Sequence, residues 1–203
     1  MIAVVDYGLG NLTSIGNMFK RIGVEAVITA DHDILRNASK LLLPGVGHFR
    51  QGMDNLHRSG LKALLDTLVL EQGKPVLGIC LGAQLMTMHS EEGDCDGLQW
   101  VNCRTRKFDA NRLGGLKVPH MGWSDITIVG DSPLWQQLPA EPRFYHVHSY
   151  HFETTEPGLV IATAHYGYDF PTAFQRGNIF GTQFHPEKSH KFGMAVLTNF
   201  SKI

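Results

Sequence analysis

Gly78-Ile79-Cys80-Leu81-Gly82 is the segment of this chain whose residue types could do covalent chemistry. It ends the apolar run Pro75-Val76-Leu77-Gly78-Ile79, which reads as a buried strand, and it precedes Leu81, Leu85 and Met88 at helical spacing. Strand, turn and helix around G-x-C-x-G have the form of a nucleophile elbow with sulfur in place of oxygen. Such a turn strains the central residue, and the flanking glycines let neighbouring backbone pass. The helix start favours thiolate over thiol, and its backbone N–H groups are placed to hold an oxyanion. The bland alternative is a structural cysteine buried between two glycines.

A thiolate that attacks an amide needs an acid to protonate the leaving amine. Eleven histidines compete for that task, and His185-Pro186-Glu187 stands out. In an extended backbone, residues two apart face the same side, and Pro186 fixes φ between them. His185 would face the thiol while Glu187 orients its ring, the division of labour of a triad. The alternative is a polar strand end that caps the last helix. A rival chemistry is metal binding by His146, His148 and His151, of which the first two share a strand face. No H-E-x-x-H or CxxC accompanies them, and Gly8-Leu9-Gly10 lacks the third glycine of a dinucleotide fingerprint.

The elements that must position these groups alternate in the first half. Ile2 to Val5, Val24 to Thr29, Lys40 to Leu43 and Pro75 to Ile79 read as strands. Between them Leu12, Ile15, Phe19 and Ile22, and then Leu61, Leu64, Leu65 and Leu68, fall on helical faces. That order predicts an α/β fold, a central mostly parallel sheet flanked by helices on both faces. From Trp100 onward short apolar segments (Ile126 to Val129, Phe144 to Val147, Leu159 to Ala162, Ile179 to Phe184) predict antiparallel strands added to the sheet edge. A helix near Lys191 to Phe200 closes the chain.

The chain has 203 residues, 43% of them hydrophobic, enough for one domain spanning 1–203 with its own core. With 18 basic and 19 acidic residues the net charge is -1, which offers no field toward nucleic acid or an anionic membrane. Arg104-Thr105-Arg106-Lys107, the densest basic run, reads as a solvated strand face. Cys80, Cys95 and Cys103 form no disulfide framework and fit a reducing cytoplasm. The N-terminus carries no basic segment of a targeting signal, and no apolar stretch approaches the length of a membrane span.

The two motifs, Gly78 to Gln84 and Gln183-Phe184-His185-Pro186-Glu187, together resemble the class I (triad) glutamine amidotransferases. Asp6 to Leu12, Leu43-Pro44-Gly45-Val46-Gly47, Val118 to Trp123, Val147-His148-Ser149-Tyr150 and His185 to Ser189 narrow the likeness to the glutaminase subunits of imidazole glycerol phosphate synthase. The resemblance runs from Val4 to Phe200. It implies Cys80 as nucleophile, His185 as general base and acid, and Glu187 as its orienting partner. It implies that Gly45, Val46, Gly47, Gln84, Ser149 and Tyr150 hold L-glutamine, with the N–H groups of Leu81 and Gly47 meeting the oxyanion. The Val46-Gly47 peptide would turn before it donates, a movement that glycine makes easy. No cofactor or metal is implied. Ammonia would pass to a (β/α)8-barrel cyclase subunit that makes imidazole glycerol phosphate and AICAR in histidine biosynthesis. Asn11, Met121, Trp123, Tyr145 and Lys188 would meet that partner. A paralogous group with the same triad supplies ammonia for amidation of surface-polysaccharide sugars. His146, Ser124 and Trp100 depart from residues common in the family.

Overall fold

The computed structural model describes residues 1–203. β1 (Ile2–Val5), α1 (Leu12–Arg21), β2 (Ala26–Thr29), α2 (His32–Asn37), β3 (Lys40–Leu43), α3 (Phe49–Arg58) and α4 (Leu61–Asp66) follow in order. A π turn, Thr67–Glu71, extends α4 before β4 (Val76–Ile79) and α5 (Leu81–Leu85). The second half holds β5 (His89–Ser90), β6 (Cys95–Asp96), β7 (Arg104–Lys107), β8 (His120–Ile128) and β9 (Arg143–His148). It continues with β10 (Tyr150–Glu153), β11 (Val160–Tyr166), β12 (Tyr168–Arg176), β13 (Ile179–Thr182) and α6 (His190–Lys202).

Nine strands form the main sheet in the order β2-β1-β3-β4-β13-β12-β11-β8-β9. The first five run parallel, and the remaining four are antiparallel. β1 and β4 are buried on both faces, which is why they read as unbroken apolar runs. Side chains alternate along them. Ala3 and Val5 join one core with α2 to α5, while Ile2 and Val4 join the other with α1 and α6. Local chemistry sets the helix starts: Asn11 Oδ1 accepts the Ser14 N–H at 3.3 Å, and Asp31 Oδ1 accepts the N–H groups of Asp33 and Ile34.

Four expectations are corrected. Ile179–Thr182 is not an added antiparallel strand; it lies parallel to β4 in mid-sheet, and its four residues are all buried. A short apolar run carries no information on its direction, and its partner is distant in sequence. The helix after Cys80 stops at Leu85 rather than reaching Met88. Its chain then turns into a smaller sheet, β10-β7-β5-β6, absent from the sequence reading. In that sheet the basic run becomes β7, where Arg106 pairs with Glu91 and Glu153 at 2.6 and 3.0 Å. Finally, β12 was not anticipated, because Pro171 and its polar residues mask the pattern.

Candidate active site

The carboxyl ends of β3, β4 and β13 converge, and each delivers one part of the site. β4 runs into Cys80, which takes φ +52°, ψ −111°, a conformation rare for a residue with a side chain. The glycines around it serve close packing. A Cβ on Gly82 would stand 1.9 Å from the Leu43 carbonyl oxygen, and one on Gly78 would stand 2.6 Å from Ala83 Cα. Helix α5 is thereby pressed onto the end of β3. Leu81 opens it, so its N–H has no acceptor within the helix.

Beyond β13 the chain leaves the extended conformation at His185 and enters a tight 3-10 turn, Pro186–Lys188. The two side chains meet across this turn, not along a strand as the sequence suggested: His185 Nδ1–H donates to Glu187 Oε1 at 2.7 Å, with Glu187 almost fully buried. The turn is clamped from both sides. The His185 N–H donates to the Tyr145 carbonyl at 2.9 Å, and Ser189 Oγ donates to the His185 carbonyl at 2.6 Å. His185 Nε2 is buried without a hydrogen-bond partner and faces the same cavity as Cys80. Burial alone would push this imidazole down. The charges of Cys80 and Glu187 and the Glu187 hydrogen bond outweigh it and raise its pKa to about 10.

The cavity holds about 260 Å³ and is lined by Val46, Gly47, Cys80, Leu81, Gln84, Ser149, Tyr150 and His185, among others. Gly45 stands behind it. A Cβ there would meet Tyr7 Oη at 2.5 Å and Gly82 N at 2.7 Å, so its place is close packing. Gly47 takes φ +135°, a backbone open to glycine alone.

The family model for class I glutamine amidotransferases matches residues 3–203. The chain belongs to that family. Among its curated relatives, the imidazole glycerol phosphate synthase subunit HisH of Bdellovibrio bacteriovorus is 45% identical over 204 residues, all of both chains. HisH 2 of Methanococcus maripaludis is also 45% identical, over all of this chain and 99% of the relative. A solved glutamine amidotransferase shares the fold, with a TM-score of 0.76 at 17% identity and full coverage of both chains.

In this amidotransferase four of the residues expected at a partner surface, Met121, Trp123, Tyr145 and Lys188, lie on β8, β9 and the turn Pro186–Lys188. Met121 and Trp123 are 62% and 39% exposed, so neither is core. Trp123 pairs in register with Tyr145 and stacks on His190, and Lys188 Nζ sits 5.8 Å from the Tyr145 ring centre. Asn11 is exposed at the start of α1.

The histidine metal reading is not supported. Both ring nitrogens of His146 are bonded, to the Phe144 carbonyl and Thr172 Oγ1, and both of His151, to the Phe152 carbonyl and Tyr168 Oη. No three His, Cys, Asp or Glu side chains are grouped to hold an ion. His146 instead stacks on His120, 4.8 Å between ring centres, with His148 beside both. Burial pushes His120 down to about 4, and burial with its histidine neighbours pushes His146 down to about 3 and His148 well below the usual range. Of the other departures, Ser124 bonds His120 Nε2 at 2.8 Å, and Trp100 Nε1 donates to Asp66 at 2.7 Å.

Three groups take places that the sequence reading did not assign them. Glu92 lines the cavity and is anchored by the Phe49 N–H at 2.8 Å. His148 donates from Nδ1 to the Tyr150 carbonyl at 2.7 Å, leaving Nε2 a buried acceptor without a partner on the cavity wall. Gln183, fully buried, donates to Cys80 Sγ at 3.6 Å. Gln183 and His148 both stand in motifs quoted from the sequence, Gln183 two residues before His185 and His148 just before Ser149-Tyr150, whereas Glu92 stands in none.

Proposed function

We propose that this chain is one catalytic domain, 1–203, that hydrolyses L-glutamine to glutamate through a Cys80 thioester and passes the ammonia to a partner subunit. The observation that carries this reading is a strained Cys80 facing the same cavity as a buried His185–Glu187 pair. Glutamine enters with its α-ammonium toward Glu92, the one carboxylate on the wall, and with Gln84, Ser149, Tyr150, Val46 and Gly47 around it and Gly45 behind them. The Cys80 thiolate attacks the side-chain amide carbon. Negative charge moves to the amide oxygen, which Leu81 N–H and, after the peptide turns, Gly47 N–H receive. The His185 imidazolium gives its proton to the departing nitrogen, the C–N bond breaks, and ammonia leaves a thioester. Neutral His185 then takes a proton from water. The hydroxyl adds to the thioester, sulfur departs and glutamate is released. Glu187 keeps the ring in the tautomer and orientation both steps need. These side chains and water suffice without a cofactor.

Ammonia loose in water is protonated and lost to an acceptor, so the product must move directly to a second site. The HisH likeness supports a (β/α)8-barrel cyclase as the holder of that site, in the step of histidine biosynthesis that yields imidazole glycerol phosphate and AICAR. The exposed Met121 and Trp123 with the half-buried Tyr145 and Lys188, and Asn11, form the surface we assign to it. The three cysteines without a disulfide support a cytoplasmic setting, and no helix is long and apolar enough to cross a membrane. Acid quenching of the complex during turnover of isotope-labelled glutamine tests the chemistry. Label retained on the Cys80 peptide, and absent in His185→Ala, is the expected result. Glutamate formed with no label ever captured on Cys80 would remove the thioester.

A further inference from the structure

We propose that Gln183 positions the Cys80 sulfur for attack and ties that position to the glutamine-binding wall through Gln84. The inference builds on the glutaminase reading for its effect on turnover.

Gln183 and His185 follow Thr182, the last residue of β13, and both side chains come to the end of β4, Gln183 against the Cys80 sulfur and His185 in the cavity it shares with Cys80. Gln183 is held by its backbone N–H, which donates to the Thr172 carbonyl at 2.8 Å. Its side chain closes a chain of hydrogen bonds. Gln84 Nε2 donates to the Tyr150 carbonyl at 3.2 Å and to Gln183 Oε1 at 3.1 Å, and Gln183 Nε2 donates to Cys80 Sγ at 3.6 Å. This fixes the sense of both amides. Gln84 spends its donors on two carbonyl oxygens, so Gln183 must turn its oxygen to Gln84 and its N–H to the sulfur. The same arrangement leaves Gln84 Oε1 as the group it offers to the cavity.

The chemistry suits a nucleophile. An amide N–H stabilises negative charge on sulfur and holds one rotamer, yet carries no proton that could compete with His185 for its role. Gln183 therefore acts before the acid step, on the readiness of the sulfur. Tyr150 and Gln84 line the cavity and Gln183 lies behind it, so displacement of Tyr150 by a ligand reaches the sulfur through two side chains.

The test replaces Gln183 by methionine, of similar length and without a donor, in the complex with the cyclase partner. Iodoacetamide labelling of the Cys80 peptide at pH 7 without glutamine is expected to slow about tenfold, and kcat for glutamine hydrolysis to fall by a similar factor with a smaller change in KM. A lower melting temperature with labelling and kcat both within twofold of wild type would reduce Gln183 to a packing residue and overturn the proposal. Should the methionine variant not fold, Gln183→Glu decides. Its carboxylate would repel the sulfur at pH 7, and labelling would recover as acid protonates it, opposite to the wild-type trend; a wild-type trend and rate would overturn the proposal. Normal hydrolysis with unaltered labelling defeats this inference alone. Slowed labelling in a complex whose wild-type form never hydrolyses glutamine defeats the glutaminase reading instead.

Discussion

Cys80, His185 and Glu187 depend on burial for what they can do. Glu187 is nearly inaccessible, and its bond to His185 is short because water cannot compete for either group. Cys80→Ala and His185→Ala are expected to reduce glutamate formation at least about a thousandfold, by removing the proposed nucleophile and the proposed proton carrier. Glu187→Gln keeps the size and an oxygen for Nδ1–H, so a loss of about ten- to a hundredfold in kcat is expected. The pH profile carries the sharper signature. The His185 pKa stands raised at about 10, and loss of the Glu187 charge lets it drop. The alkaline limit of activity should then move to lower pH in Glu187→Gln, while an unmoved limit would mean that Glu187 does not act on His185. A raised pKa also has a stability consequence of fixed sign. The favourable surroundings of the imidazolium contribute fully below the unfolded value near 6.5, and that contribution fades as pH rises through about 10.

Helix α5 and the turn after His185 are positioned by close backbone approach. Gly82→Ala would drive a Cβ into the Leu43 carbonyl, and we expect a loss of about 3 kcal/mol or more in urea unfolding. Gly177, at φ +56° with open space around it, is the control, and its alanine variant should lose only about 1 kcal/mol. Equal costs would refute the packing account of the elbow. At this scale much was legible in the sequence. The runs Ile2–Val5 and Val76–Ile79 could only be buried strands, and Cys80 between a strand and a helix announced its turn. What stayed illegible depends on partners far along the chain. Nothing in Ile179–Thr182 tells its direction. Glu92 sits in an acidic stretch that resembles a solvated loop, and Gln183 has meaning only once Gln84 and Cys80 lie beside it.

The molecule as a whole couples a dry interior to an open face. His120, His146 and His148 are held neutral by burial, while the unfolded chain protonates them near pH 6.5. Depressed values mean that the unfolded state binds more protons, so stability drops as pH falls from about 6.5 toward the folded values of about 4 and 3, by up to about 1.4 kcal/mol per pH unit for each histidine. His146→Phe should flatten that slope in melting curves taken from pH 7 to 5, and a slope unchanged from wild type would contradict the assignment. At the open face, Trp123→Ala should weaken association with the cyclase about ten- to a hundredfold while leaving Cys80 alkylation intact. Undiminished affinity would place the partner elsewhere. The central claim is that Cys80 produces ammonia for that partner, and glutamate release measured alone, with the cyclase, and with the cyclase and its ribonucleotide substrate tests it most directly. The account predicts strong stimulation by cyclase plus substrate, abolished in Cys80→Ala. Glutamate release that survives Cys80→Ala would contradict the chemistry, and release indifferent to the cyclase would contradict the pathway and return the surface-sugar amidation reading in its place.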